Sequence, residues 1–453
     1  MNDVMLIEDA PAPVEPGRKL KIAFVADQFS PPVFDGSTLV YKSWIDFLAE
    51  RYALYAILFS SYGGDIDVAQ RYLAERCRGH LILPGAPRSR LWKALRAASR
   101  FGSGAVFAPR WVEEFGRGAI HRTVADFAQR YDLRLFLISK LATVPLFGES
   151  NLRREDATFL LDAHDDFVTR EQQERDALID LFRRFPTLKR YRRFREMRLR
   201  QQLSRLVPKR AREQEARLCA LFDCVLSSSP QEHAFYQTRL AGIVPSVRLG
   251  WPIAKARLRA RPAGDGSAEF DAGFIGGDYP FNVAAILYFC TEILPLVQRS
   301  RPGFRLLIAG HVSKPLAHLG KSWPGVEVCG YLPDARSFYD RVGMVVVPLL
   351  SGTGVSIKTQ EALDCGKPVV STSIGARGLG DEAVHPALFI ADRAEAFADK
   401  ILALCAATEA GACLHRADLV QAAVVAAPPF HTAFEEVLHR YGGIDQRRLT
   451  CSE

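Results

Sequence analysis

The chain has 453 residues, a formal net charge of +8 and 48% hydrophobic residues. This length is too great for one ordinary core and predicts two domains, and the hydrophobic content excludes a disordered chain. The positive charge favours an anionic partner, which could be a nucleotide phosphate, an anionic membrane face or a nucleic acid. The nine cysteines lack CxxC and Cys/His ligand spacings, so we expect reduced thiols in a cytosolic protein.

The first residues predict a loose tail over 1–18. The sequence MNDVMLIEDAPAPVEPGRK is acidic and contains prolines, whereas a secretory signal would be basic and then apolar. No uninterrupted apolar run looks long enough to cross a bilayer. We therefore expect a cytoplasmic protein, and any membrane contact would be peripheral, on the inner face.

The N-terminal half, 19–250, predicts an α/β domain of alternating strands and helices. Its short apolar runs predict strands at Leu20–Ala26, Leu54–Phe59, His80–Leu83, Leu135–Ile138, Thr158–Leu161 and Cys224–Leu226. Gly36 lies in a loop between the first strand and a helix, and the sequence is equally compatible with a solvated turn and a loop that lines a ligand site.

His164 follows the fifth predicted strand in the sequence LDAHDDF. A parallel strand delivers the side chains at its carboxyl end to a ligand site. A histidine beside carboxylates can act as an acid, a base or a donor to a sugar hydroxyl. Such clusters are also common as polar turns and helix caps, but the position at a strand end favours function.

The most biased segment, 183–212, contains many arginines and a single acid, Glu196. Its interspersed apolar residues, among them Phe185, Leu188 and Phe194, predict a basic amphipathic helix. Such helices lie on anionic lipid surfaces, and this interpretation ranks above nucleic acid because no nucleic-acid-binding module accompanies the charge. The alternative is a solvated helix whose arginines reach the protein's own carboxylates.

The second half follows a linker, 251–268, that is rich in proline, glycine and charge. Residues 269–425 predict a second α/β domain, and a helix within 426–453 is expected to return to the N-terminal domain. The apolar runs predict strands at Ala272–Ile275, Arg305–Ile308, Val326–Val328, Met344–Val347, Val369–Val370 and Leu388–Ile390. The whole pattern predicts two doubly wound α/β domains facing a cleft.

The sequence MVVVPLLSGTGVSIKTQEALDCGKPVVST, from 344 to 372, carries the clearest chemistry. Glycines at 352 and 354 let backbone N–H groups approach a bulky group, and the following helix begins with unpaired N–H groups. This arrangement is typical of an anion site. Lys358 and Glu361 share one helical face and would suit a phosphate and a sugar hydroxyl. A tight turn and a solvated ion pair would explain the same residues without a ligand.

In order and spacing, the sequences FIGGDYPFNVAAILYF, LLIAGHV, VEVCGYLPDARSFYD, VVVPLLSGTGVSIKTQEALDCGKPVVST and IGARGL resemble the donor domain of family 4 (group 1) glycosyltransferases of the GT-B fold. The N-terminal half is similar more faintly. The resemblance implies two doubly wound Rossmann-like domains and a retaining transfer of a sugar from a nucleotide-diphosphate donor to a hydroxyl of a glycan or lipid-linked acceptor. It implies no metal or other cofactor.

The resemblance also implies roles for the matching residues. The catalytic candidates are His164, Lys358 and Glu361, with Glu361 binding the donor ribose and His164 facing the sugar and the acceptor. The other residues expected to bind the donor are Gly36, Gly276, Gly277, Gly310, Tyr331, Leu332, Gly352, Thr353, Gly354 and Val355. Among them, the glycine loop would hold the diphosphate, and Tyr331 and Leu332 would line the base.

Two departures from the family pattern bear on catalysis. Thr353 stands where many members have the first of two glutamates, and GGDYPFN lacks the usual Arg and Lys. Lys358 is then expected to be the main cation that balances the negative charge of the donor, with Arg377 and His311 as lesser candidates. Two alternatives stay open, a catalytically silent GT-B module that binds a nucleotide sugar or glycan, and a nucleotide-sugar epimerase. The second domain lacks an evident carboxylate and histidine set for proton abstraction, which argues against the epimerase.

Overall fold

The computed structural model of the protein describes most of the chain. The described residues are 19–27, 36–60, 66–84, 117–164, 167–203, 208–250, 268–319, 323–332, 335–379, 385–410 and 430–442. The predicted tail, 1–18, and almost all of the predicted linker, 251–267, lie outside these ranges, as do residues 28–35 before Gly36.

The chain divides into two compact units. The N-terminal unit comprises Met1–Val168, Leu203–Ala254 and Pro429–Glu453, and the C-terminal unit comprises Thr169–Gln202 and Lys255–Pro428. The sequence predicts one N-terminal domain from 19 to 250. The structure instead groups Thr169–Gln202 with the C-terminal unit, because the apolar side chains of this segment pack in the C-terminal core.

Among the described residues of the N-terminal unit, seven parallel strands form one sheet in the order β3-β2-β1-β4-β5-β6-β7. They are β1 (Lys21–Asp27), β2 (Ala53–Ser60), β3 (Gly79–Pro84), β4 (Leu135–Ser139), β5 (Thr158–Asp162), β6 (Cys224–Ser227) and β7 (Ser246–Arg248). The six predicted strands are confirmed to within one residue at each end. Strand β7 was not predicted, because it has three residues, none of them fully buried, and no apolar run.

The described part of the C-terminal unit contains a second parallel sheet, of six strands in the order β10-β9-β8-β11-β12-β13. They are β8 (Phe270–Ile275), β9 (Leu306–Ala309), β10 (Val326–Gly330), β11 (Val342–Val347), β12 (Val369–Ser371) and β13 (Leu388–Ile390). All six were predicted to within two residues. The four inner strands have buried aliphatic runs that are typical of strands covered on both faces, whereas β10 and β13 at the two ends of the strand order are only partly buried or exposed.

Helices connect the strands in both units. They are α1 (Gly36–Arg51), α2 (Ile66–Ala74), α3 (Gly118–Arg130), α4 (Val144–Phe147), α5 (Phe167–Arg184), α6 (Arg192–Leu203), α7 (Pro208–Cys219), α8 (Pro230–Arg239), α9 (Pro280–Tyr288), α10 (Leu294–Ser300), α11 (Ser313–Ala317), α12 (Ala335–Arg341), α13 (Ile357–Asp364), α14 (Ala394–Glu409) and α15 (Phe430–Tyr441). Ser229 caps α8 in a reciprocal pair of hydrogen bonds with Glu232.

Each sheet reverses its winding direction next to its first strand. In the N-terminal unit β1 lies between β2 and β4, and in the C-terminal unit β8 lies between β9 and β11. Ligands of doubly wound sheets bind outside the carboxyl ends of the strands at this reversal. The topology therefore marks one edge of each sheet, at the ends of β1 and β4 and at the ends of β8 and β11.

The basic segment packs through its apolar residues into the C-terminal core. Phe185, Leu188 and Phe194 are buried and belong to the same cluster as Phe274 of β8. These three side chains are therefore not exposed to a lipid surface, contrary to what the amphipathic pattern alone predicts. Several of the arginines bond to carboxylates of the same unit, as the alternative interpretation expected; these pairs are Arg183–Asp180, Arg184–Glu292, Arg192–Glu196 and Arg193–Asp278.

One described helix, Pro280–Ser300, is long and apolar enough to span a membrane by length and composition. This corrects the expectation that no such run exists. The helix contains α9, a π-helical turn at Phe289–Ile293 and α10, and Val283, Ile286 and Phe289 are fully buried beside the sheet. Its apolar character is thus used in the core of the C-terminal unit.

The C-terminal helix α15 packs on α1 in the N-terminal unit, which is the return expected from the sequence. Phe434 is fully buried, and its ring centroid lies 5.3 Å from that of Trp44 and 5.7 Å from that of Phe47. Phe430 also contacts both rings. Edge-to-face aromatic pairs of this kind favour a fixed position for Trp44.

Candidate functional site

The glycine loop joins β11 to α13 at the reversal of the C-terminal sheet. Gly352 and Gly354 have φ angles of +152° and +69°, a region that other residues adopt only with strain. Gly366, with φ of +66°, ends α13 and leads into β12. The predicted order of strand, glycine loop, helix and strand is therefore confirmed, with Gly366 at the end of the helix.

Arg377 holds the glycine loop in shape. Its Nε donates to the Thr353 carbonyl oxygen at 3.0 Å, and one terminal nitrogen donates to the Ile374 carbonyl oxygen at 2.8 Å. The Ser356 N–H donates to the Arg377 carbonyl oxygen at 3.1 Å. These bonds indicate that Arg377 stabilises the conformation of the loop. Its role as a cation that balances the diphosphate charge stays a prediction.

Lys358 lies on the first turn of α13, in a setting that is unfavourable for a charge. Its Nζ donates to Asn282 Oδ1 at 2.8 Å and lies 5.5 Å from the centroid of the Phe274 ring. Burial, and to a smaller extent the Arg377 charge, lower the pKa of the Lys358 ammonium to about 7. An anion placed beside this nitrogen would compensate the unfavourable burial of its charge.

Asn282 connects Lys358 to the loop that follows β8. Its side chain is buried, and Nδ2 donates to the Gly277 carbonyl oxygen at 3.1 Å. The sequence GGDYPFN thus contributes a neutral amide to the site, where the family pattern has cations. Asn282 thus links Lys358, on the helix after the glycine loop, to the loop after β8 through two hydrogen bonds.

Glu361 is oriented by a buried tyrosine. The Tyr339 hydroxyl donates to Glu361 Oε2 at 3.1 Å, and Tyr339 is 1% exposed. A carboxylate with a fixed oxygen can accept paired hydroxyl groups such as those of a ribose. The predicted role of Glu361 on a pentose is compatible with this geometry.

The loops after β8 and β9 meet backbone to backbone. Gly310 has a φ angle of +89°, and a Cβ there would lie 2.5 Å from the Gly276 carbonyl oxygen. The Gly276 N–H donates to the Ala309 carbonyl oxygen at 3.1 Å, and the Val312 N–H donates to the Gly276 carbonyl oxygen at 3.0 Å. Only glycine fits at 310, and the close approach fixes the relative position of the two loops.

Tyr331 follows β10 and is 45% exposed. Its ring centroid lies 5.2 Å from that of His311, which follows β9. An exposed aromatic face at a strand end is suited to stacking on a planar group such as a nucleobase. Leu332 instead is partly buried and packs against the core. Val355 lies against Gly378, and a Cβ added at Gly378 would come within 2.3 Å of the Val355 side chain.

The structure therefore brings the predicted donor-binding residues of the C-terminal unit to one edge of its sheet. They follow the carboxyl ends of four neighbouring strands, β10, β9, β8 and β11. Gly36 belongs to the N-terminal unit, where it begins α1. The loop before it lies outside the described residues.

The N-terminal unit has a buried polar network at its own reversal point. Asp162 Oδ2 accepts hydrogen bonds from the Ser139 hydroxyl at 2.9 Å and from Trp44 Nε1 at 3.0 Å, and it lies 2.8 Å from His164 Nε2. All four side chains are at most 6% exposed. His164 therefore turns Nε2 toward Asp162 and Ser139, so the Asp162 carboxylate fixes the ring.

Two residues beside this network have strained backbones. His164 has a φ angle of +57° and Lys140 one of +66°, and both follow the ends of neighbouring strands, β5 and β4. Non-glycine residues in this region cost about 1–3 kcal/mol and often occur at functional sites. Neither Ser139 nor Trp44 was predicted. Ser139 could have been found, because it ends the strand beside His164, whereas Trp44 lies mid-helix and carries no such signal.

We expect the Asp162→Ala variant to lower the free energy of unfolding by about 2–4 kcal/mol. The substitution removes the acceptor of the Trp44 and Ser139 donors in a dry environment, and unpaired buried donors are costly. Urea unfolding followed by tryptophan fluorescence measures this. Asp156→Ala is the matched control, because its side chain is 52% exposed and its pair with Arg154 is a surface ion pair. Equal stability of the two variants would contradict the buried network.

Within the described ranges, no group of three or more His, Cys, Asp or Glu side chains is arranged to hold a metal ion. The prediction that the reaction needs no metal stays a prediction.

Solved structures share the architecture of this chain at low sequence identity. Anabaena HepE in complex with UDP-glucose is 13% identical, with a TM-score of 0.58 and coverage of 94% of this chain and all of that one. A glycosyltransferase from Rickettsia africae is 11% identical, with a TM-score of 0.57 and coverage of 96% and 100%. TarM is 11% identical, with a TM-score of 0.60 and coverage of 94% and 100%. The two doubly wound parallel sheets define a protein of the GT-B glycosyltransferase fold.

The family is indicated by the second unit. Residues 269–407, less than a third of the chain, match the model of the family described as glycosyl transferases group 1. This part of the chain is therefore similar to group 1 glycosyltransferase domains, as the sequence resemblance predicted. An uncharacterized 44.6 kDa protein in the cps region of Klebsiella pneumoniae is 28% identical over 116 residues, which span 24% of this chain and 30% of that protein.

Proposed function

We propose that the protein is a retaining glycosyltransferase that transfers a sugar from a nucleotide-diphosphate sugar to a hydroxyl acceptor. The observation that carries this proposal is the position of Lys358, which lies on the first turn of the helix after the glycine loop and bonds through its ammonium to Asn282, at the reversal point of the sheet. HepE, which has the same fold, binds UDP-glucose. A nucleotide-diphosphate sugar has both an anion, which would bind the glycine loop and Lys358, and a planar base, which would stack on Tyr331.

In the proposed reaction, the acceptor oxygen forms a bond to the sugar carbon as the bond from that carbon to the diphosphate breaks. The leaving diphosphate gains charge, and the proton of the acceptor hydroxyl passes to a diphosphate oxygen. Backbone N–H groups of the glycine loop and the Lys358 ammonium stabilise that charge, because they are fixed before the reaction begins. Glu361 holds the ribose, and Tyr331 stacks on the base. His164, whose ring Asp162 fixes, has the proposed role of contacting the sugar and the acceptor. No metal takes part in this proposal.

The proposed acceptor is a growing cell-surface polysaccharide or glycolipid. The support is the similarity of part of the chain to a protein in the cps region of Klebsiella pneumoniae. The exposed cations Lys189, Arg190 and Arg195 would hold the protein on the anionic inner face of the membrane by charge alone, since the apolar side of this segment is buried. The protein would then be cytoplasmic and peripheral, and its binding to anionic vesicles would weaken as salt is raised.

A specific observation favours a second candidate, a GT-B module that binds a nucleotide sugar without turning it over. Thr353 replaces the first family glutamate, and its carbonyl oxygen accepts from Arg377 as part of the loop scaffold. A donor screen separates the two. The protein is incubated with UDP-glucose, GDP-mannose and ADP-glucose, with and without capsule-type oligosaccharide acceptors, and nucleotide release is measured. The transferase releases nucleotide with one donor, whereas the silent module binds a donor and releases none.

We expect the Glu361→Gln variant to raise the KM for the nucleotide sugar roughly 10-fold to 100-fold, because hydrogen bonds to charged groups contribute about 1.5–3 kcal/mol. Tyr339→Phe should raise it less, since it removes only the group that orients the carboxylate. Asp340→Asn, on the exposed side of α12, is the control. Initial rates over a range of donor concentrations give the three KM values, and an unchanged KM in Glu361→Gln would remove Glu361 from the site.

A further inference from the structure

The amino-terminal part of α5 touches the glycine loop. The Gly352 N–H donates to the side-chain oxygen Oε1 of Gln173 at 2.7 Å, across 179 positions of sequence. Gly352 belongs to the loop that the proposed function assigns to the donor. Gln173 Oε1 thus accepts the hydrogen bond of an N–H group that would otherwise bind an oxygen of the nucleotide-sugar donor.

The segment that carries Gln173 is firmly part of the C-terminal unit. Leu178, Leu181 and Phe182 of α5 are at most 5% exposed and pack in the core that contains β8. Gln173 therefore extends toward the loop from a helix that is anchored a turn or two further along.

The same segment also binds the other loop at the reversal point, the one after β8. The Tyr191 hydroxyl donates to Asp278 Oδ2 at 2.5 Å, and Arg193 forms an ion pair with the other oxygen of this buried carboxylate. Arg170, one helical turn before Gln173, lies 5.6 Å from the Tyr279 ring centroid. Residues 169–202 thus contact both loops that flank the reversal of the sheet.

We propose that Gln173 is a positioning residue of the donor site: its amide oxygen holds the Gly352 N–H in the free protein and is displaced by an oxygen of the bound donor. This inference rests on the proposed function. One N–H group directs one short hydrogen bond, so the two oxygens cannot share it at 2.7 Å. A phosphate oxygen forms the stronger bond because it is charged, so the exchange favours the donor. A sugar hydroxyl would form a hydrogen bond of similar strength to that of the Gln173 oxygen, because both acceptors are neutral.

The test uses two substitutions with opposite expected effects. Gln173→Ala removes the competing oxygen, so the donor should bind roughly threefold to tenfold more tightly, the value of one neutral hydrogen bond. Gln173→Glu replaces it with a charged acceptor that holds the N–H more strongly and repels the diphosphate, so the donor should bind at least about tenfold more weakly. In turnover, Gln173→Glu should raise the donor KM and Gln173→Ala should lower it.

Gln172→Ala and Gln172→Glu are the matched controls, because they make the same changes one position away on the same helix. Calorimetric titrations of all variants with UDP, UDP-glucose, GDP, GDP-mannose, ADP and ADP-glucose give the affinities. An effect on the nucleotide diphosphate and its sugar alike identifies a phosphate oxygen as the displacing atom, and an effect on the nucleotide sugar alone identifies a sugar hydroxyl. Hydrogen exchange of the peptide that contains Gly352 should be faster in free Gln173→Ala than in the free wild type.

Three results would overturn the inference. Weaker donor binding by Gln173→Ala would mean that Gln173 holds the donor, and unchanged binding by both Gln173 variants would mean that it does not meet the donor. In either case the wild type still binds a nucleotide sugar, so the proposed function stands. Failure of the wild type to bind any of the six compounds would overturn both proposals together.

Discussion

The Lys358→Met variant should lose at least about 100-fold in donor affinity and keep or gain thermal stability. The affinity falls because the diphosphate loses a cation in a partly buried place, where charge-assisted bonds are strong. Stability should not fall, because folding moves this ammonium into surroundings that disfavour its charge. The pKa of Lys358 is lowered from its ordinary value of 10.5 to about 7. Calorimetric titration with the donor and thermal unfolding at pH 6 measure the two effects.

The stability effect has a defined pH window. A lowered pKa means that the unfolded chain binds more protons than the folded one between pH 7 and 10.5, so this lysine disfavours folding at neutral pH and ceases to do so above pH 10.5. The advantage of Lys358→Met should therefore be largest at pH 6 and shrink as pH rises, with the lost Asn282 bond as a constant offset. Lys400→Met, on the exposed side of α14, is the control. A fall in stability together with lost binding would mark Lys358 as a structural residue.

Donor affinity should fall with rising pH above about 7, by up to about tenfold per pH unit. The Lys358 ammonium loses its proton in the free protein above this pH. Binding of a diphosphate must then take up a proton, since the neighbouring negative charge raises the pKa of the amine in the complex. Titration with the nucleotide sugar at pH 6, 7, 8 and 9 measures the dependence. The nucleotide sugar is preferable to the free nucleotide, because it lacks a terminal phosphate that titrates near neutral pH.

Lys358→Met provides the control for this pH dependence. Its weak residual affinity should lose the slope above pH 7, because the substitution removes the amine that titrates there. A wild-type affinity that also lacks this slope would show that Lys358 does not meet the phosphates. A slope that persists in Lys358→Met would assign the titration to a different group.

The strands could be predicted because their physical signal is local. Buried parallel strands such as β1 and β11 need short runs of β-branched and aliphatic residues, and these runs ended within two residues of the observed ends. The unit to which a helix belongs is not a local property. The composition of residues 169–202 indicates apolar and basic faces but does not indicate which core contains Phe194. The sequence therefore placed this segment in the N-terminal domain, whereas it packs in the C-terminal unit.

The candidate site was predictable where one short sequence contains it. Lys358 and Glu361 share a helical face by their spacing, and the glycines before them follow a strand. The groups that fix them come from distant sequence, since Asn282 is 76 residues from Lys358, and Tyr339 comes from a helix that precedes β11. Hydrophobic periodicity carries no information about such pairs.

The His164 region shows the same division. The position of His164 after β5 was visible in the sequence, but its left-handed backbone and the bond from Trp44 to Asp162 were not. Trp44 is fixed in turn by Phe434 of the C-terminal helix α15. The network therefore depends on packing between the two ends of the chain, which only the folded unit reveals.

We propose that the glycine loop and Lys358 bind the diphosphate of a nucleotide sugar. The most direct test is a crystal structure of the protein with the nucleotide sugar that it binds most tightly. We expect diphosphate oxygens within hydrogen-bonding distance of Lys358 Nζ and of N–H groups from Gly352 to Val355, with Glu361 on the ribose. A nucleotide bound elsewhere, with the loop N–H groups still occupied by the protein's own atoms, would contradict it.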